Sequence, residues 1–128
     1  MNAHMKNTAY GNVHQMTLKS RGAEAEALIK SARLLEAARQ NPQDSDAWQK
    51  ALDFNTKLWT AFQADLSEPS HPMPPNLRRK MLSLSIHVDR QTTRALKVRD
   101  ADNLNCLIDI NRNIGQGLMA TSHAKGTT

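Results

Sequence analysis

With Cys106 as its only cysteine, the chain has no internal disulfide open to it and no zinc-ligand spacing. A reduced cytoplasm is the simplest setting for such a protein. Long apolar runs are missing too. None approaches the roughly 18–20 residues that span a bilayer, and the opening MNAHMKNTAYGN has no hydrophobic segment resembling a signal peptide. A soluble protein not secreted by that route is expected. Aromatics are few, at 4%, which leaves Leu, Ile, Ala and Met to fill the interior. Prolines are confined to Pro42 and the stretch 69–75, so long segments on either side are free to be helical.

The chemistry of an enzyme is absent as well. No nucleophile with a base, paired carboxylates, metal cluster or phosphate cradle is visible in the pattern. The histidines His4, His14, His71, His87 and His123 fall in tails, in a connector or alone on a helix, and only His87 is expected in a structured place. Gly115-x-Gly117 lacks the strand, turn and helix of a dinucleotide site. A non-enzymatic protein without cofactor or metal is expected.

What is present is helical periodicity. Trp48, Leu52, Asn55, Trp59, Phe62 and Leu66 are spaced four, three, four, three and four, which puts all six on one helix face. Asn55 is anomalous there, because a buried amide without a partner costs about 1–3 kcal/mol. Leu104, Leu107, Asn111, Ile114 and Leu118 repeat the pattern with a second asparagine in the stripe. Either Asn55 and Asn111 meet or each bonds a buried backbone group, fixing register; the alternative is that they face a loop or water at the bundle end.

Four helices follow. The first starts at a Ser20 or Gly22 cap, buries Ala25, Leu28, Ile29, Ala32, Leu35 and Ala38, and stops before Pro42. Asp44 or Ser45 caps the second, which runs to about Leu66. After the connector SEPSHPMPP comes the third, 75–99, with Leu77, Met81, Leu84, Val88, Thr92 and Ala95 on one face and Leu82, Ile86 and Leu96 widening it. Asp102 caps the fourth, 103–119, whose last turns Gly115 and Gly117 either weaken or pack closely. The expectation is an all-α fold, a small antiparallel bundle or close variant. A flexible arm, 1–19, precedes the domain at 20–120, and a disordered tail, 121–128, follows.

The formal charge of +5 is concentrated: residues 77–99 carry +6 and the remainder −1. Arg79, Arg90, Arg94 and Lys97 share one side of the third helix and form a possible basic docking face. Such a stripe suits nucleic-acid phosphates, but it has no interleaved aromatics and no recognised binding motif, so a solvated or protein-docking face is the stronger reading.

Three blocks carry a family resemblance. ALDFNTKLW, Ala51 to Trp59, resembles the A-L-x-x-N-x-x-L-W signature of the flagellar biosynthesis regulator FlaF family. LSLSIHVDRQT, Leu82 to Thr92, resembles its leucine-rich helix, and LIDINRNIGQGL, Leu107 to Leu118, its C-terminal L-I-x-I-N-x-x-I-x-x-G-L block. The chain departs at Ser85 and Ile86, where the family often has a larger aromatic, and at Ser20-Arg21, where it has Pro-Arg. The resemblance implies a small cytoplasmic helical protein that binds flagellin as a secretion chaperone and supports its synthesis and export. It also implies a FlbT-type flagellin translation regulator as partner. Direct binding of flagellin messenger RNA, or action only through FlbT, are the alternatives. An apolar groove beside Trp48, Trp59 or Met81 is the expected protein-binding surface, the alternative being that these stripe residues are core.

Overall fold

The computed structural model describes the backbone of residues 13–127 and the side chains of residues 21–120. It is all-α, with four packed helices and no strand among the described residues. Helix α1 spans Val13–Gln40, α2 Ser45–Leu66, α3 Pro75–Lys97 and α4 Asn105–Thr127, with a 3-10 turn at Ala101–Leu104 before α4. Sequential helices pack as neighbours, and α4 returns to lie along α1 as the most extensive pair, closing a four-membered ring.

Helix α1 begins before Ser20 because nothing between Val13 and Asn41 breaks it: Gly22 is absorbed at a cost of about 1 kcal/mol, and no proline intervenes. Of the arm expected at 1–19, residues 13–19 are therefore helical and 1–12 lie outside the described residues. Likewise α4 runs through 121–127, where a disordered tail was expected; Thr128 lies outside the described residues.

The ends of the helices follow capping chemistry. Asp44 caps α2, its carboxylate accepting from the Ala47 amide at 3.0 Å, and Asp46 adds negative charge in the first turn. Pro75 opens α3 where no amide hydrogen is needed. Asp102 is not the cap of α4. Asp100 caps the 3-10 turn instead, accepting from the Asp102 amide at 3.0 Å, and α4 starts at Asn105.

Leu28 and Leu35 of α1, Trp48, Leu52 and Trp59 of α2, Val88 and Ala95 of α3, and Leu107 and Ile108 of α4 form one continuous core with Leu104. Ile86 and Leu96, expected to widen the buried face of α3, are exposed. They lie beyond the arc that α2 and α4 cover.

At the centre each helix contributes one polar side chain. Asn55 Oδ1 accepts from Ser31 Oγ at 3.1 Å and from Asn111 Nδ2 at 2.8 Å. Asn111 Nδ2 also donates to Ser31 Oγ at 3.0 Å, and its Oδ1 accepts from Trp59 Nε1 at 2.9 Å. Asn55 Nδ2 reaches Thr92 Oγ1 at 3.4 Å, and Thr92 in turn donates to the Val88 carbonyl at 2.7 Å. Asn55 and Asn111 are fully buried, and no buried side-chain nitrogen or oxygen among the described residues lacks a partner. The two asparagines meet directly, joining α2 to α4 across the diagonal of the bundle.

Candidate functional site

The groove expected beside Trp48 and Trp59 is not there. Trp48 is 2% exposed and Trp59 0%, because each indole N–H has its partner inside the bundle. Trp48 Nε1 donates to the Ala95 carbonyl at 2.9 Å, one of the carbonyls that the last turn of α3 leaves unpaired. Trp59 Nε1 is held by Asn111, and its ring packs edge-on against Phe62 with centroids 5.4 Å apart. Both tryptophans are core residues.

Met81 does line a cleft, at the opposite end of α2 from Trp48. The cleft, about 310 Å³ including space open to solvent, is formed by Glu24 of α1, Phe62, Asp65 and Leu66 of α2, His71 and Met73 of the connector, Met81 of α3, and Ile114 and Leu118 of α4. All four helices and the connector thus supply its walls. Phe62 and Leu66 of α2, Met81 of α3, and Ile114 and Leu118 of α4 continue the apolar stripes of those helices.

The connector is shaped by side-chain hydrogen bonds. Ser67 closes α2, its hydroxyl donating to the Gln63 carbonyl at 2.6 Å. The His71 amide bonds the Glu68 carbonyl at 3.0 Å, turning the chain back. His71 Nδ1 accepts from the Met73 amide at 3.1 Å, so Nε2 carries the proton and faces Asp65 Oδ2, also at 3.1 Å. Arg78 reaches back from α3 to the Glu68 carbonyl at 3.0 Å. His71 is therefore structured, although only His87 was expected to be, and it sets Met73 and Asp65 on the cleft. No residue pattern announced this, since the histidine acts on the backbone two residues on and on a side chain from another element.

Glu24 differs from the other polar residues of the cleft in having no hydrogen bond or ion pair among the described residues. Burial, reinforced by the Asp65 carboxylate and opposed by Arg21, pushes it up to about 7. No group of three or more His, Cys, Asp or Glu among the described residues is arranged to hold a metal.

The basic residues are where the helical register put them. Arg79, Arg90, Arg94 and Lys97 are all exposed, on the side of α3 turned away from Val88 and Ala95. Arg79 bonds Asn76 on its own helix, while Arg90, Arg94 and Lys97 have no ion-pair partner among the described residues. Asp89, the one acid in this stretch, is turned to Gln63 of α2, which donates to it at 2.9 Å. His87 is on the surface, with Nε2 3.3 Å from Cys106 Sγ.

Comparison with known families then decides the relationship. The model of flagellar protein FlaF matches residues 6–118, most of the chain, taking in α1, α2 and α3 whole and α4 as far as Leu118. The chain belongs to the FlaF family. No curated protein and no solved structure matches it, so the family is the source of its functional relationship. As a FlaF-family member it is a flagellar protein, and the three sequence blocks take on structural meaning. Asn55 and Trp59 of the first, Thr92 of the second and Asn111 of the third belong to the same buried hydrogen-bonded cluster. The motif is thus largely a specification of the core. No helix among the described residues is long and apolar enough to cross a membrane.

Proposed function

We propose that this FlaF-family chain is a non-enzymatic, cytoplasmic chaperone that binds flagellin before export and thereby supports flagellin synthesis. The observation that carries the reading is the apolar cleft at one end of the bundle. Its wall includes Phe62, Leu66, Met73, Met81, Ile114 and Leu118, and two of these are methionines, whose flexible thioethers adapt to an incoming surface. Flagellin termini are amphipathic helices that have nowhere to bury their apolar faces before the filament forms. Helix-in-groove docking is the mode such segments use. A FlbT-type translation regulator is the natural second partner, since flagellin held by the chaperone leaves less of it free to act with that regulator.

Titration of the protein with monomeric flagellin tests this. Saturable binding in the micromolar range or tighter is expected, weakened at least about tenfold, or about 1.4 kcal/mol, by Met81→Glu in the cleft wall. Replacing Arg79, Arg90, Arg94 and Lys97 together by Ala is expected to leave that affinity within a factor of about two.

The exposed, unpaired cations on α3 favour one second reading, direct binding of flagellin messenger RNA. Under it the 5′ region of the message binds at near-physiological salt, the fourfold Ala variant loses that binding, and affinity falls steeply with added salt. RNA binding without flagellin binding would overturn the chaperone reading. Silence toward both ligands would point to an adaptor acting only through the FlbT-type regulator.

A further inference from the structure

We propose that the cleft recognises a cationic side chain, lysine or arginine, presented by an amphipathic helix of the partner, with Glu24 as the residue that reads the charge. The inference deepens the flagellin reading and rests on it only for the identity of the protein that carries the helix.

The chemistry of the cleft is two-part. Its walls are aliphatic, aromatic and thioether, which suits a long apolar stem. Its polar groups are the Glu24 and Asp65 carboxylates and the His71 imidazole. Asp65 is already engaged by the His71 Nε2–H, but Glu24 makes no hydrogen bond or ion pair among the described residues, Arg21 acting on it only beyond ion-pair distance, although it lies where burial is costly to a charge. An entirely apolar occupant would cover Glu24 and leave it unpaired, costing stability. An acidic occupant would meet two carboxylates. A side chain with a four-carbon or three-carbon stem and a positive tip satisfies both parts: the stem lies along Phe62, Met73 and Met81, and the tip meets Glu24 in a charge-assisted hydrogen bond.

The charge of the whole protein makes the inference sharply testable. At +5 overall, long-range attraction favours acidic ligands and works against basic ones. A preference for lysine must therefore arise locally.

The probes are blocked helical peptides of Leu, Ala and Gln, identical except for a single central lysine, norleucine or glutamate. Binding is followed by calorimetry and by the methyl resonances of Met73 and Met81 in the methyl-labelled full chain. The lysine peptide is expected to bind about tenfold tighter than the norleucine peptide, the glutamate peptide weakest of the three, and both methionine signals to move. Glu24→Gln keeps the shape of the cleft and removes the charge. In that variant the lysine and norleucine peptides are expected to bind within about a factor of two of each other, with circular dichroism and unfolding midpoint showing an intact fold. Equal affinity for lysine and norleucine in the wild type, a lysine preference that survives Glu24→Gln, or unmoved Met73 and Met81 signals overturns the proposal. So does failure of every peptide to bind. Flagellin that binds the wild type and Glu24→Gln equally leaves the chaperone reading standing and this one fallen. A lysine peptide that binds where flagellin does not gives the reverse.

Discussion

An amide inside an apolar stripe has a cost that some partner must meet, and Asn55 and Asn111 meet it by bonding each other and the side chains around them. Ser31 and Thr92 complete the same cluster, yet serine and threonine sit so often on helix surfaces that neither draws notice alone. A signal was nevertheless available: Leu28, Ser31, Leu35 and Ala38 have the three, four, three spacing seen around both asparagines. Asn55→Ala removes the acceptor that Ser31 and Asn111 share and the amide that reaches Thr92, and it opens a void, so thermal unfolding followed by circular dichroism should show a loss of about 3 kcal/mol, or ~10 °C in Tm. Affinity of the folded fraction for flagellin should hardly change, because Asn55 touches nothing outside. Glu24 makes a different kind of contribution. Its carboxyl is raised from 4.5 to about 7 in the folded protein, so between those values the native state holds a proton that the unfolded chain has released. Stability should therefore fall as pH rises from about 4.5 through about 7, and level off above. Partial exposure damps the slope. Denaturant midpoints measured across that range should show the decline in the wild type and a flatter curve in Glu24→Gln.

Helix existence and order were readable from period and proline placement, whereas boundaries failed where no breaker marked them, at the start of α1 and the end of α4. The tryptophans misled for a related reason. Periodicity places a side chain on a face but does not say whether a neighbour covers it, and here Ala95 and Asn111 draw both indoles inward. The two glycines of α4 separate packing from mere tolerance. A Cβ on Gly115 would stand 2.9 Å from Ile29 Cγ1, 3.2 Å from Leu28 Cβ and 3.3 Å from the Ala25 carbonyl, whereas one on Gly117 would meet nothing within 4 Å. Gly115 is thus what lets α4 lie against α1. Gly115→Ala should destabilise by about 1–3 kcal/mol, while Gly117→Ala should be neutral or stabilising by up to about 1 kcal/mol through helix propensity. Chemical denaturation of the two variants side by side provides the check.

Across the whole molecule, the family-bearing blocks and the candidate binding surface separate. The blocks specify the interior, and the cleft lies at one end of the bundle, where apolar residues of α2, α3, α4 and the connector meet Glu24 of α1. Composition and charge foretold the basic side of α3, because seven cations in one segment cannot all be neutralised locally. They could not foretell the cleft. Its floor depends on His71, a histidine in a proline-rich connector, and its chemistry on residues far apart in the chain, from Glu24 to Leu118. The cleft and the exposed cations lie on different sides of α3, since Met81 belongs to the covered arc and Arg90 and Arg94 to the exposed one. Substitutions on one should leave binding at the other unchanged.

The central polar cluster also bears on the order in which the protein assembles. Ser31 and Asn111 are 80 residues apart, and the Asn55 carbonyl takes its two donors from the first and last helices. A partly folded chain that has docked α1, α2 and α3 without α4 must keep water at the Trp59 indole N–H and at the Asn55 carbonyl position that Asn111 fills, or leave both without their donor or acceptor. Drying the core and seating α4 are therefore one event. Native-state hydrogen exchange should show the amides around Ser31, Asn55, Thr92 and Asn111 opening together, with one free energy, and not α4 detaching first.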